Sequence, residues 1–168
     1  MSLKVAVAAA LVAAAAFAAW RLVGGEPPGD EEQIRALFED AARAAAEKRV
    51  ADAVEGVSER FRGEGLDRQG VKQLVAWHVL RGEWVSVSVA GARVRVDGGR
   101  ARASVDAVLA RGAGKGKALA ALLPGEASAH RFDAALEREE GGWRIVAASW
   151  RPVQLADALA GPPEPAAP

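Results

Sequence analysis

The apolar residues of this chain change period once, close to Trp84. Upstream of it they recur at helical spacing; downstream they alternate, in runs separated by glycine turns. Such an order segregates helices from strands, and consecutive strands joined by hairpins make an antiparallel sheet. The expected fold class is therefore α+β: three N-terminal helices packed on a curved four-stranded antiparallel sheet.

In the helical part, Ile34, Leu37, Phe38, Ala41, Ala42 and Ala45 predict a helix from Glu31 to Arg49, with Asp30 as its N-cap and Gln33 as the capping-box partner. A short helix over Val50–Val57 follows, and Ser58–Gly65 breaks it, with Phe61 turning inward. Asp67 caps a third helix, Arg68–Leu80. Its apolar face is Val71, Leu74, Val75 and His78, flanked by Trp77.

In the alternating part, Val85, Val87 and Val89 share one parity, and Val94 and Val96 the other. A parity change at Ala90-Gly91-Ala92 marks a bulge in a long, bent strand. Asp97-Gly98-Gly99 turns the chain into a strand over Arg100–Ala110. After a connection over Arg111–Ala127, a third strand runs from Ser128 to Glu139, with His130, Phe132, Ala134 and Leu136 on one face. Glu140-Gly141-Gly142 leads into the last strand, Trp143–Trp150. Strict alternation puts Trp143, Ile145 and Ala147 on one face and Val146, Ala148 and Trp150 on the other. Both faces are then apolar, so helices are expected on one and a partner on the other.

The ends differ in composition. Val5 to Trp20 carries no charged or polar side chain, and Lys4 and Arg21 bracket it. As a helix it spans about 24 Å, or about 30 Å with its apolar flanks, enough to cross a bilayer core. Residues 1–25 are thus expected to be a single hydrophobic helix, acting as an uncleaved membrane anchor, a cleaved signal peptide with Ala16-Phe17-Ala18 near the cut, or a soluble or peripheral helix. The first two place the domain outside the cytoplasm, anchored in the inner membrane or exported. Residues 26–30 form a linker, residues 31–152 the domain, and residues 153–168 a short helix and a Pro-rich disordered tail. Formal net charge is zero, with no basic cluster of the kind nucleic acid needs. Cysteine is absent, which excludes disulfides and thiolate chemistry.

The element order, together with the closing Gly141-Gly142-Trp143-Arg144-Ile145-Val146-Ala147-Ala148-Ser149-Trp150-Arg151-Pro152, resembles the nuclear transport factor 2-like superfamily over roughly Asp30 to Pro152. The resemblance implies a cystatin-like α+β cone: a bent sheet wrapping a long helix around a conical space. It also implies a homodimer through the sheet. Members include ketosteroid isomerase-like enzymes, dehydratases, small-ligand binders and secretion-system components. The isomerase-like members pair a cavity carboxylate with a Tyr hydroxyl, and this chain has no Tyr.

His78 and His130 are the only histidines, each on an apolar face, and they form the candidate polar end of a cavity with Trp77, Phe132 and Trp143. A zinc site would need a third ligand, so no metal or other cofactor is expected. Asp106 and Asp133 alternate away from the apolar face, which predicts solvation or cross-strand salt bridges with Arg93, Arg95, Arg102 or Arg131. Gly112–Lys117 lacks the spacing and the Ser or Thr of a phosphate loop, so a flexible basic loop is expected. The preferred function is a non-enzymatic, membrane-anchored binding or interaction module, presenting Val146, Ala148 and Trp150. The alternative is a small-molecule binder or a lyase- or isomerase-type enzyme using the cone, with a small apolar ligand and with His78 and His130 at its polar end. Both imidazoles lining one open cavity of a few hundred Å³ would favour the alternative; closure by Phe38, Phe61 and Trp77 would exclude it.

Overall fold

A computed structural model describes residues 28–80, 86–110 and 127–168. The expected anchor or signal segment, the start of the linker, Trp84 and the Gly112–Lys117 loop lie outside the described residues. Among the described residues, no helix is long and apolar enough to cross a membrane. The elements are α1 (Asp30–Ala46), α2 (Val50–Ala53), α3 (Arg68–Leu80), β1 (Ser86–Asp97), β2 (Arg100–Ala110), β3 (Ala127–Glu139), β4 (Gly142–Val153) and α4 (Leu155–Ala160).

Helices α1 and α3 form where the apolar spacing puts them, but α2 ends at Ala53 rather than Val57, because the chain from Gly56 pairs with Ile145 of β4 instead. Helix α1 stops three residues short of Arg49 because Lys48 adopts a left-handed conformation, φ 62°. Bonds from Lys48 N to Ala45 O (3.1 Å) and from Arg49 N to Ala44 O (2.8 Å) then satisfy its last carbonyls. Asp67 caps α3 as expected: its Oδ1 accepts from the Gly70 amide at 2.8 Å.

The sheet is an antiparallel meander in the order β1-β2-β3-β4. Its register shifts between Val89 and Gly91, where the sequence predicts a bulge. The shift returns Val87, Val89 and Val94 to the inner face, beside Val105 of β2. A second shift, not expected from the sequence, falls in β4. Leu136 pairs with Ile145 and Ala135 with Ala147, so Val146 is the extra residue. Below the bulge Trp143 and Ile145 face inward; above it Ala148 and Trp150 do. The expectation of two apolar faces on β4 is thereby corrected: strict alternation fails at Val146, and the strand has one inward apolar face.

The free edge of β4 is covered by the chain itself. Gly56–Arg62 runs along it, with Ile145 N bonded to Gly56 O (2.9 Å), Ser58 N to Ile145 O (2.9 Å) and Arg62 N to Val146 O (3.0 Å). The bulge thus offers its carbonyls sideways to a segment that returns from the helices. Ser58, itself buried, donates from Oγ to Glu139 Oε1 at 2.7 Å. That bond, with Arg60 beside it, holds the Glu139 carboxyl below its ordinary range.

The main core lies between α1 and the inner face of the sheet: Ile34, Val94, Ala101, Ala103, Val105, Ala134, Leu136 and Trp143. A second apolar cluster sits on the outer face, where Ala158 of α4 packs on Val108 and Ala129. The strand covered on both faces is therefore β2, buried from Ala103 through Ala110. Under this outer cover Asp106 and Arg131, register partners on β2 and β3, form a bidentate ion pair at 2.7 and 2.8 Å. Arg131 is one of the four partners the sequence offers, but Asp106 is fully buried rather than solvated.

The chain beyond α4 stays on the sheet for at least four residues, which differs from the disordered tail expected from Gly161. Pro162 is buried, and a Cβ added at Gly91 would lie 3.0 Å from its Cδ. The Arg93 Nε donates to the Pro162 carbonyl at 2.9 Å, and Glu164 lies 3.7 Å from Arg93 and 3.5 Å from Arg95. The arginines exposed by β1's alternation supply the contacts that hold it.

Candidate functional site

Between α1, α3 and the inner face of the sheet lies a cavity of about 350 Å³. Helix α1 contributes Phe38, Ala41, Ala42 and Ala45; helix α3 contributes Val71, Leu74, Val75, His78 and Val79. The floor is Val105, Ala107 and Leu109 of β2, His130, Phe132 and Ala134 of β3, and Ile145, Ala148 and Trp150 of β4. Phe61 closes one wall without filling the space. The room comes from alanine. Six of these wall positions end at Cβ, so the elements can pack at ordinary distances and still leave a hollow.

Among the described lining residues, the side chains with hydrogen-bonding atoms are His78, His130 and, through its indole N–H, Trp150. His78 comes from the apolar face of α3, and His130 from β3, where Ala107 and Pro152 are its register neighbours. The Nδ1 of His130 is buried and has no hydrogen-bond partner. Burial, and after it the charge of His78, pull the His130 imidazole below the ordinary histidine range. His130 is therefore a neutral ring near pH 7, able to accept or donate one bond toward the cavity.

The other sequence-predicted positions divide. Phe132 lines the cavity and packs on Trp150, with ring centroids 6.3 Å apart. Trp77 is 48% exposed, sets its ring edge-on to His78 at 4.6 Å, and is not part of the cavity wall. Trp143 belongs to the solid core, beneath the Arg138 guanidinium, and is not in the wall either. Ala148 and Trp150, expected on a partner face, line the cavity instead, because the β4 bulge turns them inward. Val146 is the bulged residue whose carbonyl binds Arg62. Trp150 is thus the cavity aromatic missed by strict alternation. Among the described residues, no group of three His, Asp or Glu could hold a metal ion.

A bent antiparallel sheet wrapped on a long helix, with an apolar hollow between them, is the nuclear transport factor 2-like fold. Solved structures bear this out. An NTF2-like protein with a cystatin-like fold from Novosphingobium aromaticivorans is 19% identical, with a TM-score of 0.55 over 82% of this chain and 87% of that one. The hexachlorocyclohexane dehydrochlorinase LinA-type3 from Novosphingobium barchaimii is 16% identical, with a TM-score of 0.52 over 72% and 84% of the two chains. Bd1075 from Bdellovibrio bacteriovorus is 8% identical, with a TM-score of 0.53 over 73% of this chain, which spans only 40% of that longer protein. No family model and no curated protein matches the sequence.

Proposed function

We propose that this domain binds a small, largely apolar molecule and sets its one polar group against His78 and His130. The observation that carries this is a cavity of about 350 Å³ whose described wall residues are all apolar or aromatic apart from two imidazoles, with the Trp150 indole as the one further N–H among them. A dry cavity of about 150 Å³ already takes a benzene ring, so this one has room for roughly twice that. Each CH₂ transferred into it contributes about 0.8 kcal/mol.

A second function is favoured by the neutral state of His130: base-assisted elimination or isomerisation, the chemistry class that includes the dehydrochlorinase of similar fold. Binding is preferred because no carboxylate among the described wall residues faces either imidazole to orient it for repeated proton transfer. With residues 1–25 as an anchor or export signal, the binding site would lie outside the cytoplasm. Fractionation tests that location, and recovery of the intact chain in the soluble cytoplasmic fraction overturns it.

For the cavity, 1-octanol is a suitable probe. Calorimetry should give one site per chain with a Kd below about 1 mM. Ala42→Phe, which fills the hollow from α1, should weaken binding at least about tenfold while the protein stays folded by circular dichroism. Equal binding by the filled variant would mean that the alcohol sits elsewhere and that the cavity is not the site.

A further inference from the structure

The outer face of the sheet, opposite the cavity, carries more positive charge than its cover neutralises. Arg93 and Arg95 of β1 alternate with Val94 and Val96, which pack in the core. Arg95 is the register partner of Arg102 on β2, and like charges directly opposite each other destabilise a strand pair. All three arginines are exposed. Among the described residues, the one acid that pairs with any of them is Glu164, 3.7 Å from Arg93 and 3.5 Å from Arg95. The Arg102 side chain has no ion pair or hydrogen bond there. The next acids on this face have partners of their own: Asp133 accepts from Ser104, and Asp106 holds Arg131.

The segment that brings Glu164 there is held as a bound peptide would be. Helix α4 ends at Gly161, whose φ of 91° turns the chain onto β1. The Pro162 ring then lies over Gly91, where a side chain has no room: an added Cβ would stand 3.0 Å from Pro162 Cδ and 3.4 Å from Gly161 Cα. Arg93 Nε donates to the Pro162 carbonyl at 2.9 Å, and the acid follows two residues later. A slot for a ring, a donor for the main chain and a guanidinium for an acid make a site for an extended, proline-containing peptide. The hold is weak at its charged end, because exposed ion pairs contribute little, and it leaves Arg102 without a counter-charge. We propose that this groove binds an acidic segment of another protein in place of residues 161–164. That segment has a proline, an acid two residues later and further acids after it, whose carboxylates reach Arg95 and Arg102.

The exchange is local. Ala158 of α4 stays packed on Val108 and Ala129 while the chain beyond Gly161 lifts away. The docked tail is an intramolecular competitor, and it lowers the apparent affinity for the incoming segment by the fraction of chains in which it occupies the groove. Two substitutions therefore act in opposite directions. Glu164→Gln loosens the tail and leaves the groove whole. Arg102→Gln takes a contact from the incoming segment and none from the tail. A nucleic acid offers the arginines charge but nothing for the slot over Gly91. The tail of a second copy carries the same single acid and gains nothing over the tail already in place.

The test is fluorescence anisotropy of the full-length chain with three labelled probes at low salt. They are the peptide Gly-Pro-Pro-Glu-Glu-Glu, a peptide of the same composition in the order Glu-Glu-Glu-Pro-Gly-Pro, and a thymidine hexanucleotide. The first peptide should bind with a Kd below about 1 mM and at least about fivefold more tightly than either other probe. Glu164→Gln should raise its affinity about two- to fivefold, and Arg102→Gln should lower it at least about threefold. Both substitutions lie outside the cavity wall, so 1-octanol binding should stay as in the parent. Equal binding by the reordered peptide or the oligonucleotide makes the face a general anion surface and overturns the proposal. So does an affinity that Arg102→Gln leaves unchanged, a Glu164→Gln variant with no gain, or no binding of the first peptide by about 1 mM. Concentration-dependent dimerisation of the parent, lost in Glu164→Gln, would assign the groove to a second copy and overturn it as well.

Discussion

Replacing Asp106 by Ala should cost about 3–5 kcal/mol of folding stability, while replacing Asp106 and Arg131 together by apolar residues of similar volume should cost far less. The pair lies between the sheet and the C-terminal helix, with Asp106 fully buried and Arg131 nearly so. Its two hydrogen bonds, 2.7 and 2.8 Å, use both carboxylate oxygens. Removing the acid leaves a buried guanidinium without its bidentate partner, with only the longer-range charges of Asp133 and Asp157 acting on it, and that poorly compensated charge is the larger part of the loss. Removing both groups removes the desolvation cost as well. Urea unfolding of the two single variants and the double variant measures the coupling directly. A loss below about 1 kcal/mol for Asp106→Ala would mean that water reaches the pair and that α4 does not seal this face.

This face was the least legible from sequence. Alternation puts Asp106 on the face opposite the apolar one and offers Arg131 as one of four possible partners; the register selects it. Their burial could not be read, because it depends on a helix of six residues, Leu155–Ala160, and on the Pro162 that docks behind it. A Pro-rich segment carries no periodicity that would announce a docking site. What holds it is contributed from elsewhere, by Gly91, Arg93 and Arg95 of β1.

The contrast between the two bulges has a similar physical basis. The one in β1 falls at a glycine and flips a valine–serine alternation to a valine–arginine one, so the sequence displays it. The one in β4 falls at Val146 inside an all-apolar run, followed by Ala147 and Ala148. Slipping parity among residues of one polarity changes no pattern, and Ala147 and Ala148 are interchangeable in kind. That single slip moved Ala148 and Trp150 from an expected partner surface into the cavity wall. The histidines were legible because each interrupts an apolar face at regular spacing. The cavity between them was less so: an alanine stripe reads as an ordinary core face until the larger side chains around it hold the helices and sheet at a distance that alanine does not fill.

Gly63→Ala should destabilise the domain by about 2–4 kcal/mol and weaken ligand binding with it. At Gly63 the returning segment leaves no room for a side chain against β4. A Cβ there would run into the carbonyl oxygen of Ala148, while standing 2.8 Å from Phe61 Cζ and 3.1 Å from the Ala148 amide nitrogen. Two of these three are backbone atoms of a paired strand, where Ala148 is the register partner of Ala134, so they cannot yield as a side-chain end would. Relief requires lifting the segment off the edge, and with it the bond from Arg62 N to the bulged Val146 carbonyl. Phe61 and Ala148 both line the cavity, so the displacement is transmitted to the site without touching either histidine. Gly99→Ala is the matched control. It meets nothing within 4 Å and has no left-handed backbone to strain, so its effect should stay within about 0.5 kcal/mol. Thermal unfolding of both variants beside the parent separates the cases. A Gly63→Ala protein as stable as Gly99→Ala would mean that the segment is not pressed on β4, and that the bulge has some reason other than to receive it.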